Sequence, residues 1–278
     1  MPFDLTMHSL LITAYKNPEQ LTRLIGMFPE EHFNMYVHID KKSDIDIEEL
    51  QKKTGNKPNI RIYKKYKVNW GGRNHLKAIL WLAEKALEQG VNQYFHLITG
   101  QDLPIRPVED FINKLDCSKD YIQAIPYPVS YLPKGATDWF DYYNFYDWLD
   151  AKKHLKWIRL IRNLQIKLGW KRPFDKPFAE KYYGSTYWSL TRETLEYVVK
   201  YTKEKPAFFR RMRHTFCAEE LYFTTVIMNS LHRRKVAQDN LRFIKWEAHG
   251  KTGSPKVLTE SDREEMLNSG KWFARKFE

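Results

Sequence analysis

Four strand-like runs, HSLLITAY (8–15), NMYVHID (34–40), NIRIYKKYKV (59–68) and QYFHLITG (93–100), alternate with helix-forming segments along the first third of the chain. Strands separated by helices predict a mainly parallel sheet covered by helices on both faces, so the expected fold class is α/β. The helix signals agree. In NPEQLTRLIGMF, Asn17 can cap and Pro18 sits at the first helical position. From Asn74 to Gln89, apolar residues at 76, 79, 80, 83 and 87 keep helical spacing, and VEDFINKL reads as a further helix. A chain of 278 residues suffices for one large domain with a substantial core.

Sheets of this kind bind ligands at the carboxyl ends of their strands. The residues there are Tyr15-Lys16-Asn17, Asp40-Lys41-Lys42, Trp70-Gly71-Gly72 and Gln101-Asp102, all polar, charged or glycine-rich except for the two aromatic rings. The balance of 46 Lys and Arg against 34 Asp and Glu leaves a formal charge of +12, which points to an anionic partner: nucleic acid, an anionic membrane surface or a phosphorylated substrate. Cys117 and Cys217 are too few for a disulfide framework and lack metal-ligand spacing, which places the expected site of action in the cytoplasm. The opening MPFDLTMHSLLITAY has no basic leader, and no stretch reaches the roughly 20 apolar residues that span a bilayer.

Residues 120–150 are aromatic-rich and irregular, and predict a long loop with short strands. The segment 151–181 is a basic amphipathic helix candidate. Leu155, Ile158, Ile161, Leu164 and Leu168 fall near one face, with Lys152, Lys156, Arg159 and Lys167 mainly off it. Two readings stay open for it: a surface helix packed on its own domain, or peripheral contact with the inner face of the cell membrane.

The most unusual stretch is TFCAEELYFTTVIMNS (215–230), in which Glu219 and Glu220 open an otherwise apolar segment. On a helix Glu220 shares a face with Phe223, Thr224 and Ile227, while Glu219 is turned by about 100° toward Tyr222. A carboxylate against apolar neighbours has a raised pKa, which suits a general base. Acids also complement the dipole of any helix start, so both roles remain open. At the end of the chain, WFARKFE sets Arg275 and Lys276 among apolar neighbours, either as a diphosphate clamp or as a solvated tail.

The stretches LLITAYKNPEQLTRLI, VHIDKKS, NWGGRNHLKAIL, YFHLITGQDLPIRPVEDFI, GSTYWSLTRETLEYV, AEELYFTTVIMNS, DNLRFIKW and FARKFE occur in an order that resembles the core-2/I-branching N-acetylglucosaminyltransferases, relatives of the peptide xylosyltransferases. The resemblance implies a single compact catalytic domain of the glycosyltransferase A type over 1–278. Its nucleotide-binding half would be 1–115 and its acceptor-binding half 116–278. It implies inverting transfer from a UDP-sugar, with N-acetylglucosamine expected and xylose or glucuronic acid as alternatives, to a glycan or lipid-linked oligosaccharide, without a bound metal or other cofactor.

Carried over residue by residue, the resemblance makes Asp40 a uridine contact, Glu220 the catalytic base, and Arg275 and Lys276 the holders of the diphosphate. Lys42, Trp70, Gly71, Gly72 and Asp102 are further donor-side candidates, and Asp102 can equally brace its loop. Trp188, Glu219 and Trp246 are expected on the acceptor side, with Trp188 alternatively in the core and Glu219 alternatively serving the helix start. DID (44–46) superficially matches the metal-binding Asp-x-Asp of related enzymes, but the strand already ends at Asp40, so Asp44 is expected to cap the next helix. KTGSP (251–255) lacks the cysteines of disulfide-bonded animal members, which suggests a bacterial cytosolic enzyme of surface-glycan synthesis. The competing classes are a nucleic-acid-binding module, disfavoured because no such motif is present, and a catalytically silent membrane-surface scaffold.

Overall fold

The computed structural model describes residues 6–132, 137–172, 178, 180–246 and 255–278. Parts of the 120–150 and 151–181 segments, and KTGSP apart from Pro255, lie outside the described residues. In chain order the elements are β1 (Met7–Ala14), α1 (Pro18–Gly26), β2 (Phe33–Ile39), α2 (Ile47–Lys53), β3 (Ile60–Tyr63), α3 (Asn74–Leu87), β4 (Asn92–Thr99), β5 (Asp102–Pro104) and α4 (Val108–Lys114). They continue with β6 (Ile125–Pro126), α5 (Thr137–Phe140), α6 (Ala151–Lys167), β7 (Tyr182–Tyr183), β8 (Ser189–Thr191), α7 (Arg192–Glu204), α8 (Pro206–Arg211), α9 (Glu219–Met228), β9 (Arg242–Ile244), α10 (Arg263–Asn268) and β10 (Phe273–Arg275).

The main sheet has the order β3-β2-β1-β4-β8, with the first four strands parallel and β8 antiparallel to β4. This is the mainly parallel α/β sheet expected from the sequence, and residues from both halves of the chain build it. Both faces are covered, as parallel sheets require. On β1, Leu11 enters a core formed with α3, α7 and α9, while its neighbours Leu10 and Ile12 enter a second core with α1, α4 and Phe273. Successive side chains on a strand point to opposite faces, so the apolar run LLI supplies both cores at once.

A smaller sheet, β5-β10-β9, lies beside the carboxyl end of β4. Its central strand comes from the chain's last residues, and Ala274 registers with Leu103 on one side and Phe243 on the other. The FARKF segment is therefore docked, with Phe273 and Ala274 fully buried. Arg242 fastens the two sheets together. Its buried guanidinium donates to the backbone carbonyls of Leu97 and Trp188 and to the Ser189 hydroxyl, and burial pushes its pKa down to about 9.

Two expected details differ. Asp46, not Asp44, caps α2, its carboxylate accepting from the amides of Glu48 and Glu49. The helical segment at 151 turns a different face inward. Ile158 and Gln165 are its buried residues, whereas Leu164 and Leu168 are exposed. The cause is a pair of hydrogen bonds: the Gln165 amide accepts from Tyr143 N and donates to Tyr143 O, binding the preceding loop to the helix.

Candidate active site

Helix α9 is anchored on every side. Leu221 to Met228 are all buried, Trp188 packs on Phe223 with ring centroids 5.0 Å apart, and Thr224 and Thr225 both donate to the Tyr182 carbonyl. Glu220 is the one residue of this helix that is only partly buried. Thr186 Oγ1 donates to its Oε1 at 3.5 Å, and the Tyr183 hydroxyl is hydrogen-bonded to it as well. Burial raises the Glu220 pKa to about 8, with the neighbouring Glu219 as a second cause and the two hydroxyls opposing.

Glu219 is the more buried of the pair. Its Oε1 lies 3.0 Å from His75 Nδ1 on α3, while its buried Oε2 has no hydrogen-bond partner among the described residues. His75 in turn reaches Thr13 Oγ1 at the end of β1, 3.3 Å away. Glu219 is thus fixed to the wall of the parallel sheet.

The segment Gly184–Trp188 joins Glu220 to the chain's end. Gly184 N donates to the Glu220 carbonyl, Thr186 reaches the Glu220 carboxylate, and the Tyr187 ring lies under the Arg275 guanidinium at 4.5 Å. Gly184 has no room for a side chain. A Cβ there would sit 2.0 Å from the Gln123 carbonyl oxygen and 2.7 Å from Thr224 Cγ2. Gly184→Ala is expected to lower stability by about 3 kcal/mol and to displace Glu220, a loss readable by urea unfolding alongside an activity assay.

Arg275 registers opposite Asp102, and its Nε lies 3.2 Å from the Asp102 carboxylate, within ion-pair range though outside hydrogen-bond geometry. Asp102 is fully buried and also accepts from the Thr99 amide and hydroxyl. It braces the loop after β4 and holds Arg275, which corrects the expectation of a donor-sugar contact: the side chain has no exposed surface to offer. Lys276 pairs with Glu278, whose carboxylate also takes Lys16 and Gln101. Lys16 and Lys276 push the Glu278 pKa down to about 2.

On the donor side, Asp40 Oδ1 accepts from the amides of Lys42 and Val68, tying β2 to the segment after β3. Lys42 reaches Asn69 at 2.7 Å and Asp150 at 3.3 Å. Trp70 is half exposed, with its ring edge on Phe216. The two glycines after it make room for the protein itself. A Cβ on Gly71 (φ 76°) would fall 2.3 Å from the Phe216 ring, and one on Gly72 would fall 2.5 Å from Asp147 Oδ1. Gly71 O also accepts from Cys217 N, which locks this loop to the segment that leads into α9.

Trp188 is a core residue, not an acceptor contact. It is 0% exposed, because its carbonyl pairs with Leu97 N across the sheet and its ring enters the core with Leu190. Trp246 is exposed, two residues beyond Ile244, the strand position that registers with Arg275. The functional neighbours that the sequence left unnoticed are His75, Tyr183, Thr186 and Tyr187. Strand alternation through GSTYWSL carries a signal for the last of these, since it sets Tyr187 and Trp188 on opposite faces.

Residues 10–267 match the family described as Core-2/I-Branching enzyme. Xylosyltransferase 2 of Homo sapiens is 24% identical over 294 residues, covering 97% of this chain and 31% of that protein. Xylosyltransferase oxt of Drosophila melanogaster is 21% identical over 240 residues, covering 82% and 25%. The chain spans about a third or less of the length of these curated relatives. Among solved structures, S. aureus TarS 1-349 in complex with UDP aligns with a TM-score of 0.33 and 19% identity over 43% of this chain and 36% of that one. The complex of TarS 1-349 with UDP-GlcNAc gives a TM-score of 0.30 at 18% identity, covering 43% and 34%. The family match over nearly the whole sequence is decisive: the chain belongs to the Core-2/I-Branching family of glycosyltransferases.

Proposed function

We propose that this protein is an inverting, metal-independent glycosyltransferase that moves a sugar from a UDP-sugar to a hydroxyl of a glycan acceptor, in surface polysaccharide or lipid-linked glycan synthesis. One observation carries the reading: on a helix whose other residues are all buried, the Glu220 carboxyl alone is partly exposed, with its pKa raised to about 8. A neutral hydroxyl becomes a competent nucleophile when a positioned base accepts its proton in the transition state, and a base titrating near the working pH does this best. One in-line displacement at the anomeric carbon inverts its configuration.

The departing diphosphate gathers negative charge as the glycosidic bond breaks. Arg275 and Lys276 supply fixed positive charge for it, Arg275 being held in place by Asp102 and Tyr187. Asp40, beside Lys42 at the end of β2, is the uridine contact of this reading. The strand-end carboxylates Asp40 and Asp102 are engaged by amides and by Arg275, which favours cationic side chains over a metal as the diphosphate's partners.

N-acetylglucosamine is the proposed sugar. Xylose is the second reading, favoured by the similarity to proteins named xylosyltransferases. Incubation with UDP-N-acetylglucosamine, UDP-xylose and UDP-glucuronic acid in the presence of EDTA tests both points. UDP release from one donor at an undiminished rate is the expected result. Release only after a divalent ion is restored would defeat the metal-independent mechanism.

A further inference from the structure

The outward face of α6 carries a row of apolar side chains that no described residue covers. Trp157, Leu160, Leu164, Leu168 and, just past the helix, Trp170 are each between 54% and 66% exposed. At about 100° per residue, positions 157, 160, 164 and 168 fall within an arc of about 80°. The helix is already held from its opposite side, by Ile158 in a cluster with Tyr146 and Phe216 and by Gln165 on the Tyr143 backbone. The row is therefore not the helix's own core face.

Charge distinguishes what fits there. Lys156 and Lys167 are exposed along one flank of the row, Lys153 is exposed one turn ahead of it, and no Asp or Glu occurs between Asp150 and Asp175. Among the described residues these three lysines pair with no carboxylate. A polyanion alone would satisfy the lysines and leave two tryptophans and three leucines in water. The boundary between anionic headgroups and acyl chains satisfies both, because Trp and Leu enter the apolar layer while lysine stems reach back to the charged one. No helix among the described residues is long and apolar enough to cross a membrane, so contact here is in the plane of the surface.

We propose that α6 seats the protein on an anionic lipid bilayer, its Trp157–Leu160–Leu164–Leu168 row in the acyl boundary and its lysines among the headgroups. The helix is also part of the site's outer wall. Ile158 packs with Phe216 and Cys217 just ahead of Glu219, and Asp150, which caps α6, binds Lys42. Seating α6 therefore brings the site to the membrane surface. The binding claim is independent of which sugar is moved, or of whether any is.

Flotation of the full chain with phosphatidylcholine vesicles, with and without phosphatidylglycerol, tests it. The wild type is expected to float with the anionic vesicles and to show a blue shift of tryptophan emission. Lys153→Gln/Lys156→Gln/Lys167→Gln should lower partitioning about fivefold per lysine, about a hundredfold in all. Trp157→Ser/Leu160→Ser/Leu164→Ser should abolish it. All substituted positions are exposed, and unchanged thermal unfolding verifies the fold of both variants. Failure of the folded wild type to float with anionic vesicles would overturn the proposal, as would undiminished flotation of the apolar-row variant. A dimer in solution that the same variant breaks, without vesicle binding, would assign the row to a second copy of the chain instead.

Discussion

Glu220→Gln is expected to reduce transfer by about 10³-fold while leaving UDP binding nearly unchanged. The size follows from removing a positioned base whose proton acceptance no neighbour replaces, and the spared binding follows because the UDP contacts lie on other elements. The pH dependence carries the same signature. With the Glu220 pKa at about 8, kcat/KM of the wild type rises about tenfold per pH unit below that value and levels off above it. Glu219→Gln removes the second cause of the raised pKa, so its profile should move to lower pH with most of the plateau rate kept. Equal loss of rate in both variants would show that the assignment between the two acids is wrong.

Stability must follow the same titration. The folded-state pKa lies above the ordinary value of 4.5, so the folded protein holds the proton more tightly than the unfolded chain between about 4.5 and 8. The stabilising contribution of protonated Glu220 is complete below that window and is lost as pH rises through about 8. Glu220→Gln has no such loss and is expected to gain on the wild type in thermal unfolding above pH 8.

Arg275→Met is expected to have two separable effects. Transfer falls about 10²-fold because a fixed cation at the developing diphosphate charge is gone. The fold loses about 3 kcal/mol because burial raises the Asp102 pKa, and Arg275→Met removes the cation that offsets this cost at a carboxyl with no exposed surface. Arg275→Met/Asp102→Asn should therefore recover most of the stability in urea unfolding and none of the transfer. Recovery of both would reduce Arg275 to a structural brace. Lys276→Met provides the complementary case. Its pair with Glu278 is solvent-accessible and contributes less than about 1 kcal/mol, so activity should fall with little change in stability.

The strands of the main sheet were legible because burial on both faces leaves continuous apolar runs, as in LLITA and YFHLIT. The run at 59–68 stops being a strand at Tyr63. Beyond it Tyr66 N donates to His38 and Val68 N to Asp40, and a single backbone bond, Lys41 N to Tyr66 O, replaces the strand ladder. The small sheet left no local signal, since Asp102 and Arg275 are joined only by the fold. Glu220 was readable as a carboxylate among apolar residues. The grip of His75 on Glu219 was not, because it depends on how α3 and α9 pack. For Trp188 the sequence allows both a sugar platform and a core ring, and only its place in β4–β8 pairing shows that it faces the core.

The most direct test of the central claim needs no acceptor. With water in place of the acceptor hydroxyl, the anomer of the sugar first released from an α-linked UDP-sugar can be followed by proton NMR before it equilibrates. The wild type is predicted to release the β anomer with a rate that titrates near pH 8, and Glu220→Gln to release almost none. Initial release of the α anomer, or undiminished release by Glu220→Gln, would contradict a single displacement with Glu220 as its base.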